Sequence, residues 1–520
     1  MLVDNISFDI AEGQSFALLG ESGSGKSLTA LALLRLLPPN LHISSGSIRL
    51  NDIDLLQLPA YQMRSYRTAK LAMVFQEPMT SFNPVMKIGK QLLEPLSLHL
   101  KQRGATARAT ALKLLEDVGL ADPERVFQSY PHQLSGGMKQ RAMIAIALVA
   151  SPALLIADEP TTALDVTIQA QVLELLANLQ KQRGMAMLFI SHDLSVVGNV
   201  AERIAVMRHG KILEAANADV FFKQARHDYT RSLYRMLPDQ SKRGYLLSPE
   251  GSSQKLIIAD QQPGGKVEVS DLAVHFQLRS GLLRQIKHTV KAVDGVSFTL
   301  KRGQTLALVG ESGSGKTTIA RALLALNRAD AGQIRLVTDN GNAETVSDIK
   351  AQTQIVFQDP FYSLNPKMSI AQILSEALER RHCDNLDAEL KTLLAQVGLP
   401  NEYLRRYPHQ LSGGQRQRIC IARSLAAKPN FIIWDEPTSA LDVLVQAQIL
   451  NLLQNLQIQF NLGYLFITHD ISIVAYLAHE VAVIYKGKIV EYGDTIKVLS
   501  EPAHAYTKEL LAAVPTISAA

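Results

Sequence analysis

Short apolar runs that end abruptly at polar residues recur along the first half of the chain. These strand-length runs are Ser15–Leu19, Leu71–Phe75, Ala153–Ala157 and Met185–Ile190. Between them, apolar residues recur three and four positions apart, which predicts helices. The predicted helices are Leu28–Leu37, Ile88–Leu98, Ala109–Val118, Lys139–Ala150 and Thr167–Gln182. Alternating strands and helices predict an α/β core with a largely parallel sheet.

The second half of the chain repeats the first. Its apolar runs are Thr305–Val309, Ile355–Phe357, Phe431–Trp434 and Leu465–Ile467. The two copies are offset by 290 residues at the first run and by 277 at the last, so the length differences fall in the connections, where insertions are tolerated. Residues 1–19 are predicted to form short strands with a turn at Glu12-Gly13. The second copy has a further predicted strand upstream, Lys266–Phe276, for which the first copy has no counterpart.

These repeats divide the 520 residues into two predicted domains, 1–236 and 266–520. The predicted linker, residues 237–265, contains Ser248-Pro249-Glu250-Gly251 and Gln262-Pro263-Gly264-Gly265, which favour turns. Each half ends in a similar tail, His227-Asp228-Tyr229-Thr230 and His504-Ala505-Tyr506-Thr507.

A glycine-rich loop follows the first apolar run of each half. The two loops are Gly20-Glu21-Ser22-Gly23-Ser24-Gly25-Lys26-Ser27 and Gly310-Glu311-Ser312-Gly313-Ser314-Gly315-Lys316-Thr317. Both match GxxxxGK[ST] between a strand and a helix, the context of a phosphate-binding P-loop. Main-chain N–H groups would surround phosphate oxygens, the lysine would reach the β- and γ-phosphates, and the hydroxyl of Ser27 or Thr317 would bind Mg2+.

The other apolar runs end at residues suited to the same chemistry. Asp158 and Asp435 follow buried strands, where a carboxylate can hold Mg2+. Glu159 and Glu436 come next and are expected to point to the other side of the extended chain, where they could orient or deprotonate a water. Two further pairs complete the set, the amides Gln76 and Gln358, predicted to contact the metal or the water, and His192 and His469, predicted to contact the γ-phosphate.

A second candidate phosphate-binding element occurs in each half. Its residues are Ser135-Gly136-Gly137-Met138 in the first copy and Ser412-Gly413-Gly414-Gln415 in the second, each opening a predicted helix. The serines suit helix N-caps and the glycines expose N–H groups.

Composition excludes several other classes. The net charge is only +5 and no long basic run occurs, so direct nucleic-acid binding is not expected. Cys383 and Cys420 lie far apart and are expected to be reduced thiols. The sequence contains no stretch of about 18 apolar residues, so no membrane span is predicted. The amino terminus lacks the pattern of a secretory signal.

Together these motifs resemble the ATP-binding cassette (ABC) family over nearly the whole chain, twice. The resemblance implies two tandem nucleotide-binding domains, each with a P-loop α/β core, an antiparallel β subdomain and a helical signature subdomain. It also implies ATP and Mg2+ as cofactors, D-loops at Ala163-Leu164-Asp165 and Ala440-Leu441-Asp442, and two sites in which the P-loop of one cassette faces the signature of the other. Both sets of motifs are complete, so both are expected to hydrolyse ATP.

The stretches at 75–84, 130–137, 357–366 and 407–414 resemble those of oligopeptide and dipeptide importers, most of all the tandem microcin C type. That resemblance implies two transmembrane permeases as partners, an extracytoplasmic substrate-binding protein reached through them, and peripheral association with the cytoplasmic face of the inner membrane. A tandem cassette ATPase that acts on the ribosome is the main alternative, although such proteins usually have a long charged helical linker. A sugar importer of the tandem type is a second alternative.

Three features depart from the family pattern. The first copy lacks the opening strand and the aromatic residue that stacks on adenine, so either the start is misassigned or this site binds adenine more weakly. In the second copy Phe276 or His288 could stack on adenine. Met138 stands where the family usually has Gln, for which we expect a modest effect. No cysteine cluster follows the tails, so no iron–sulfur centre is expected.

Overall fold

The computed structural model describes residues 2–76, 81–162, 164–251, 254–256, 265–280, 285–338, 343–344, 346–379, 385–439 and 441–514. These residues form two compact units, unit 1 up to Arg231 and unit 2 from Ser232 to Val514. Within this described part of the chain, no helix is long and apolar enough to cross a membrane.

Up to residue 236, the described residues form eight strands and ten α-helices, the last of which runs from unit 1 into unit 2. The strands are β1 (Ser15–Leu19), β2 (Arg49–Leu50), β3 (Ile53–Asp54), β4 (Leu71–Val74), β5 (Leu154–Asp158), β6 (Ala186–Ser191), β7 (Arg203–Arg208) and β8 (Lys211–Asn217). The helices are α1 (Lys26–Leu33), α2 (Ala60–Tyr66), α3 (Ile88–His99), α4 (Gly104–Asp117), α5 (Pro123–Gln128), α6 (Gly136–Ala147), α7 (Val166–Arg183), α8 (Leu194–Val200), α9 (Ala218–Lys223) and α10 (Asp228–Met236).

The main sheet of unit 1 has the order β4-β5-β6-β1-β7-β8. Its first five strands are parallel and β8 pairs antiparallel with β7. Strands β1, β4 and β6 are buried along their whole length, as expected of parallel strands that are covered on both faces. The predicted α/β fold with a largely parallel sheet is confirmed. Strands β7 and β8 come after Met185–Ile190, the last strand predicted in the first half, and were not predicted.

Unit 2 repeats this arrangement. Its strands are β9 (Lys266–Ser280), β10 (Gln285–Lys301), β11 (Thr305–Val309), β12 (Ala331–Val337), β13 (Ala343–Glu344), β14 (Thr353–Val356), β15 (Phe431–Asp435), β16 (Gly463–Ile467), β17 (Glu480–Tyr485) and β18 (Lys488–Asp494). Its helices are α11 (Lys316–Leu323), α12 (Val346–Gln352), α13 (Pro360–Ser363), α14 (Ile370–Leu378), α15 (Leu386–Gln396), α16 (Gly413–Ala426), α17 (Val443–Phe460), α18 (Ile471–Leu477), α19 (Thr495–Ser500) and α20 (Ala505–Ala512). The main sheet order, β14-β15-β16-β11-β17-β18, matches that of unit 1 strand for strand.

The antiparallel β layers of the two units differ. In unit 2, β10, β9, β12 and β13 form a four-stranded sheet in that order. Among the described residues of unit 1, this layer consists of β2 and β3 alone, which pair over two residues each. The prediction of short strands over residues 1–19 was wrong for residues 2–14, which form no strand in the structure, although the turn at Glu12-Gly13 is present. An isolated extended segment has no ladder partner for its N–H and C=O groups, so its local pattern does not make it a strand.

The segment after α10 belongs to unit 2 and packs within it. Leu247 exchanges two hydrogen bonds with the Asn451 side chain, at 2.9 and 2.7 Å, and Tyr476 donates its hydroxyl to the Tyr245 carbonyl at 2.7 Å. Tyr245 also forms an antiparallel bridge with Lys255. This part of the predicted linker is therefore fixed by contacts to α17 and α18, whereas residues 257–264 lie outside the described part of the chain.

Candidate phosphate and metal site

The P-loop of each unit leaves the carboxyl end of the central strand of the sheet, β1 or β11. Gly23 and Gly25 adopt φ values of 80° and 105°, a left-handed region in which glycine is strongly preferred. A Cβ on Gly20 would lie 2.1 Å from the Met207 carbonyl oxygen, and one on Gly310 would lie 2.2 Å from that of Ile484. Helix α1 begins at Lys26, two residues earlier than predicted, so Lys26 and Ser27 belong to its first turn.

The P-loop lysines fold back along their own loops. Lys26 Nζ donates to the carbonyls of Gly20 and Glu21 at 2.7 and 2.8 Å. Lys316 Nζ donates to Gly310 and Glu311 at 2.6 and 2.8 Å. Both lysines are buried, at 5% and 6% exposure. Each loop therefore places a buried ammonium beside the N–H groups of a helix N-terminus, an arrangement suited to phosphate.

A hydroxyl and a carboxylate meet at the end of each P-loop. Ser27 Oγ donates to Asp158 Oδ1 at 3.1 Å, and Thr317 Oγ1 donates to Asp435 Oδ1 at 3.3 Å. Burial raises the pKa of Asp158 to about 6 and raises the pKa of Asp435 as well. Oxygen donors of this kind fit Mg2+, which usually keeps several waters and takes the rest of its ligands from phosphate.

Glu159 does not continue the extended chain from which its side-chain direction was predicted. Its φ is 45° and that of Glu436 is 48°, so the chain turns left-handed at these residues and strand alternation does not set the side-chain direction. Glu159 N–H donates to the Ile190 carbonyl at 2.9 Å, and Glu436 N–H donates to that of Ile467 at 2.9 Å. This main-chain contact to the neighbouring strand β6 or β16 holds the turn in place.

Three side chains converge on the Glu159 carboxylate. Gln76 Nε2 and Thr162 Oγ1 donate to Oε2 at 2.7 and 2.9 Å, and His192 Nδ1 lies 3.0 Å from Oε1. Burial raises the pKa of Glu159, but the contact with His192, the hydrogen bond from Thr162 and the charge of Lys26 together outweigh it and the net pKa is lowered. Burial lowers the pKa of His192, and its contact with Glu159 outweighs that effect in turn, so the net pKa is raised. The carboxylate is thus held ionised.

The same group in unit 2 has one member fewer. Gln358 Nε2 donates to Glu436 Oε2 at 2.9 Å, and His469 Nδ1 lies 3.4 Å from the same oxygen. Ser439, the counterpart of Thr162, donates instead to the Glu436 main-chain carbonyl at 3.2 Å. The pKa shifts have the same directions and the same leading causes as in unit 1, and the hydrogen bond from Gln358 also lowers the pKa of Glu436. Sequence analysis missed Thr162; a hydroxyl three residues after the glutamate in both copies was the available signal.

The structure thus brings together, within each unit, the P-loop, the aspartate, the glutamate, the glutamine and the histidine. All of them lie at the carboxyl edge of the parallel sheet, where ligands bind in open α/β folds. Gln76 and Gln358, predicted to contact the metal or the water, donate here to the neighbouring glutamate. The aspartates of the predicted D-loops, Asp165 and Asp442, cap the N-termini of α7 and α17; Ala163 and Ala440 lie outside the described residues.

The signature segments begin helices α6 and α16, as predicted. Ser135 and Ser412 are the N-caps and accept from the N–H groups three residues later at 3.4 Å. Gln415 closes a capping box with Ser412 and also donates to the Tyr403 hydroxyl at 3.0 Å. Met138 cannot form either bond, and the position matching Tyr403 is the buried Val126. The unusual methionine is therefore accompanied by an apolar neighbour.

The second glycine of each signature has a packing role. A Cβ on Gly137 would lie 2.9 Å from Ile168 Cγ2, and one on Gly414 would lie 2.4 Å from Val445 Cγ1. These contacts are with α7 and α17, the helices that the D-loop aspartates cap. Glycine thus lets the signature helix approach its neighbour closely, in addition to exposing N–H groups.

Of the two candidates for adenine stacking, Phe276 lies on β9 and is 44% exposed. His288 lies on β10, opposite Leu278 in the strand register, and its side chain lies outside the described side chains. The choice between them stays a prediction.

Family comparison decides what this arrangement is. The family model described as "ABC transporter" matches residues 3–162 and 293–439, once in each unit. The chain belongs to the ABC transporter family. A second model, "Oligopeptide/dipeptide transporter, C-terminal region", matches residues 490–520. The predicted family and the predicted tandem fold are confirmed, and this ABC protein is an ATP-binding ATPase.

Relatives resemble the ABC chain over nearly its whole length. The peptidoglycan transport ATP-binding protein YejF of Agrobacterium fabrum is 46% identical over 99% of this chain and 93% of its own. The glutathione import ATP-binding protein GsiA of Pectobacterium atrosepticum is 45% identical over 99% and 86%. A ribosome-bound archaeal ABCE1 matches with a TM-score of 0.58 at 19% identity, over 94% of this chain and 76% of that chain, which shows a shared fold. The importer relatives therefore favour transport over the ribosomal alternative.

Proposed function

We propose that this ABC ATPase energises the import of peptides or peptide-like compounds. The observation that carries the proposal is the 45–46% identity, over 99% of the chain, to ATP-binding proteins named for peptidoglycan transport and glutathione import. Glutathione is a short peptide and peptidoglycan contains short peptides, so both names describe peptidic cargo. The match of residues 490–520 to the C-terminal region of oligopeptide and dipeptide transporters supports the same class.

In the proposed reaction, the γ-phosphate of ATP is transferred to water. Lys26 and Lys316 would exchange their carbonyl partners for the β- and γ-phosphates, while the Ser27–Asp158 and Thr317–Asp435 pairs would hold Mg2+. The metal, when bound, would neutralise charge on the phosphates. The ionised Glu159 and Glu436 would orient the attacking water and accept its proton.

His192 and His469 would hold those glutamates and contact the γ-phosphate. Gln76 and Gln358 would change partners between the glutamate and the metal or water when nucleotide binds. The glutamine amide can leave the carboxylate without stranding a charge, which suits a residue that moves. Ser135, Gly136, Gly137, Ser412, Gly413, Gly414 and Gln415 are proposed as the second phosphate-binding elements.

Import ATP-binding proteins work with transmembrane permeases, and unit 1 has a surface suited to such a partner. A groove of about 550 Å³ lies beside Gln76 and is lined by Phe75, Phe82, Met86 and Leu98, among others. Leu98 is 69% exposed. In unit 2, Phe361 and Tyr362 are exposed close to Gln358 in sequence, at 51% and 87%. We propose that two permeases dock at these apolar surfaces, hold the protein at the inner face of the membrane, and receive substrate from an extracytoplasmic binding protein.

Affinity capture of the tagged chain from detergent-solubilised cells tests this proposal. We expect mass spectrometry to find two membrane permeases in the eluate. Leu98→Asp should weaken their capture, because it places a charge in the groove. Tyr61→Asp is the matched control, since Tyr61 is 70% exposed and does not line the groove. Ribosomal proteins without permeases would instead support the alternative function.

A further inference from the structure

The tail motif repeated at the end of each unit begins a helix that is tied to the edge strand of the sheet. Glu214 on β8 accepts the N–H groups of Arg226 and His227 at 2.7 and 3.0 Å. Glu491 on β18 accepts those of Ala503 and His504 at 2.8 and 3.1 Å. The ring nitrogen Nδ1 of His227 or His504 then accepts the N–H of the tyrosine two residues later, at 3.1 Å. The start of α10 and of α20 is therefore fixed by the same contacts.

This anchoring brings one tyrosine hydroxyl of each tail to the P-loop. In unit 2, Glu311 N–H donates to the Tyr506 hydroxyl at 3.0 Å. The carbonyl of the same Gly310–Glu311 peptide accepts from Lys316 Nζ at 2.6 Å. In unit 1, the Tyr229 hydroxyl donates to Glu21 Oε1 at 2.8 Å. Tyr506 thus holds the P-loop main chain, and Tyr229 holds the side chain of the equivalent residue.

Both tyrosine rings are buried, and each packs against the last residue of a strand, Arg208 of β7 or Tyr485 of β17. Tyr229 and Tyr506 are 4% and 5% exposed. The Arg208 guanidinium lies 4.4 Å from the centre of the Tyr229 ring and 4.0 Å from Glu21 Oε1. Tyr485, which occupies the position of Arg208 in unit 2, packs on Tyr506 with ring centres 4.3 Å apart. Each hydroxyl is therefore carried by a buried ring that packs against a side chain at the end of a strand.

We propose that Tyr506 and Tyr229 are positioning residues for ATP binding: while the P-loop lysine changes partners, Tyr506 holds the first peptide of its P-loop and Tyr229 holds the Glu21 side chain at the equivalent position. The lysine must release the carbonyls of that peptide and its neighbour to reach phosphate. A peptide held only by the lysine would be free to move when the lysine leaves. Tyr506 keeps hold of the N–H side of that peptide, so its effect should exceed that of Tyr229. This inference concerns ATP affinity in the ATPase itself and requires no assumption about cargo or permeases.

The test uses the purified full-length chain with Tyr506→Phe, which keeps the ring and removes the hydroxyl. A neutral hydrogen bond contributes about 0.5–1.5 kcal/mol, so we expect the KM for ATP and the calorimetric Kd to rise by about two- to tenfold. The kcat should stay within about twofold. Tyr229→Phe should raise both constants by a smaller factor.

Tyr492→Phe is the matched control, because it removes a tyrosine hydroxyl that donates to Glu480 on the neighbouring strand, away from the P-loop. It should leave the KM and Kd for ATP unchanged. If Tyr506→Phe lowers the melting temperature while the KM and Kd stay at the wild-type values, the tail is only a structural support and the proposal is wrong. An equal rise in KM for Tyr492→Phe would overturn it as well.

Discussion

Residues 3–10 of unit 1 and residues 293–300 of unit 2 have the same apolar pattern but different structures. In unit 2, Val296, Phe298 and Leu300 lie on β10, pair with β9, and are 0–5% exposed. Their counterparts Ile6, Phe8 and Ile10 form no strand in the described residues and are only partly buried. The difference shows that this β layer depends on pairing with the strand that precedes it in the chain, since the local pattern is shared.

The contacts of the P-loop are the same in both units, although their antiparallel β layers differ. Asp4 N–H donates to the Gly210 carbonyl at 2.8 Å, and Asp294 N–H donates to that of Gly487 at the same distance. The contacts of Lys26 and Lys316 also agree within 0.1 Å. The geometry of the P-loop is therefore set by the parallel sheet, and the antiparallel layer can vary around it.

The largest effect we predict is on hydrolysis. Glu436→Gln should lower turnover at unit 2 by about 10²- to 10⁴-fold while ATP binding persists, because the proposed general base is lost and the P-loop remains. Glu159→Gln should do the same at unit 1. Steady-state ATPase assays of the two single variants would divide the total turnover between the units, and the double variant provides the baseline. Wild-type turnover in the double variant would contradict the assignment.

The next effect concerns the β layer itself. Fusion of a copy of residues 265–291 ahead of Leu2 should supply unit 1 with a partner strand. Complete burial of Ile6, Phe8 and Ile10 should then raise its free energy of unfolding by about 3–5 kcal/mol, given about 1.5–3 kcal/mol for each fully buried side chain. We also expect tighter ATP binding at the first site. Urea unfolding and calorimetry would measure both quantities. The same fusion carrying Val269→Asp should give neither gain, and equal behaviour of the two fusions would refute the comparison.

A third prediction separates the units by pH. Burial lowers the pKa of His479 to about 4, with a further contribution from Arg243, and its Nδ1 accepts the Thr305 N–H at 3.0 Å. In the unfolded chain the pKa of this histidine is near 6.5, so the unfolded state binds more protons than the folded state between pH 6.5 and pH 4. The free energy of unfolding of unit 2 should therefore decrease as the pH is lowered through this range. The loss should be about 2 kcal/mol between pH 7 and pH 5. Unit 1 has Glu202 at this position.

The single tryptophan, Trp434, is fully buried in β15 and reports unfolding of unit 2 alone. Urea midpoints from its fluorescence at pH 7 and pH 5 would measure the loss. His479→Gln keeps an acceptor for the Thr305 N–H and does not titrate. This variant should therefore lack the loss of about 2 kcal/mol that we expect from His479 between pH 7 and pH 5. An unchanged pH dependence in that variant would show that other groups cause it.

The smallest effect lies at the signature helices. Gln415→Met should break the capping box of α16 and destabilise unit 2 by about 1 kcal/mol. Met138→Gln should stabilise unit 1 by less, because Val126 offers no hydroxyl where unit 2 has Tyr403. Thermal unfolding would show shifts of about 2–4 °C or less. If Met138→Gln stabilises unit 1 by more than Gln415→Met destabilises unit 2, the hydrogen bond to the Tyr403 hydroxyl contributes little to stability.

Sequence predicted the parts of this protein that depend on local pattern. Apolar runs covered on both faces identified β1, β5 and β6, and the polar residue after each run identified the edge that gathers the site. Sequence could not predict features set by long-range contacts. The left-handed turn at Glu159 depends on a hydrogen bond to Ile190, and Tyr229 reaches Glu21 across 208 residues. Strand β8 has only partly buried and exposed residues, so no apolar run marked it.

The left-handed backbone at Glu159 and Glu436 has a consequence for the stability of these units. A residue with a Cβ in this conformation carries about 1–2 kcal/mol of strain that glycine would not. Glu436→Gly should therefore remove that strain from unit 2 while it removes the proposed base. The same substitution would also leave Gln358 and His469 without the carboxylate that they contact, so these contacts offset the strain of the turn that places the glutamate.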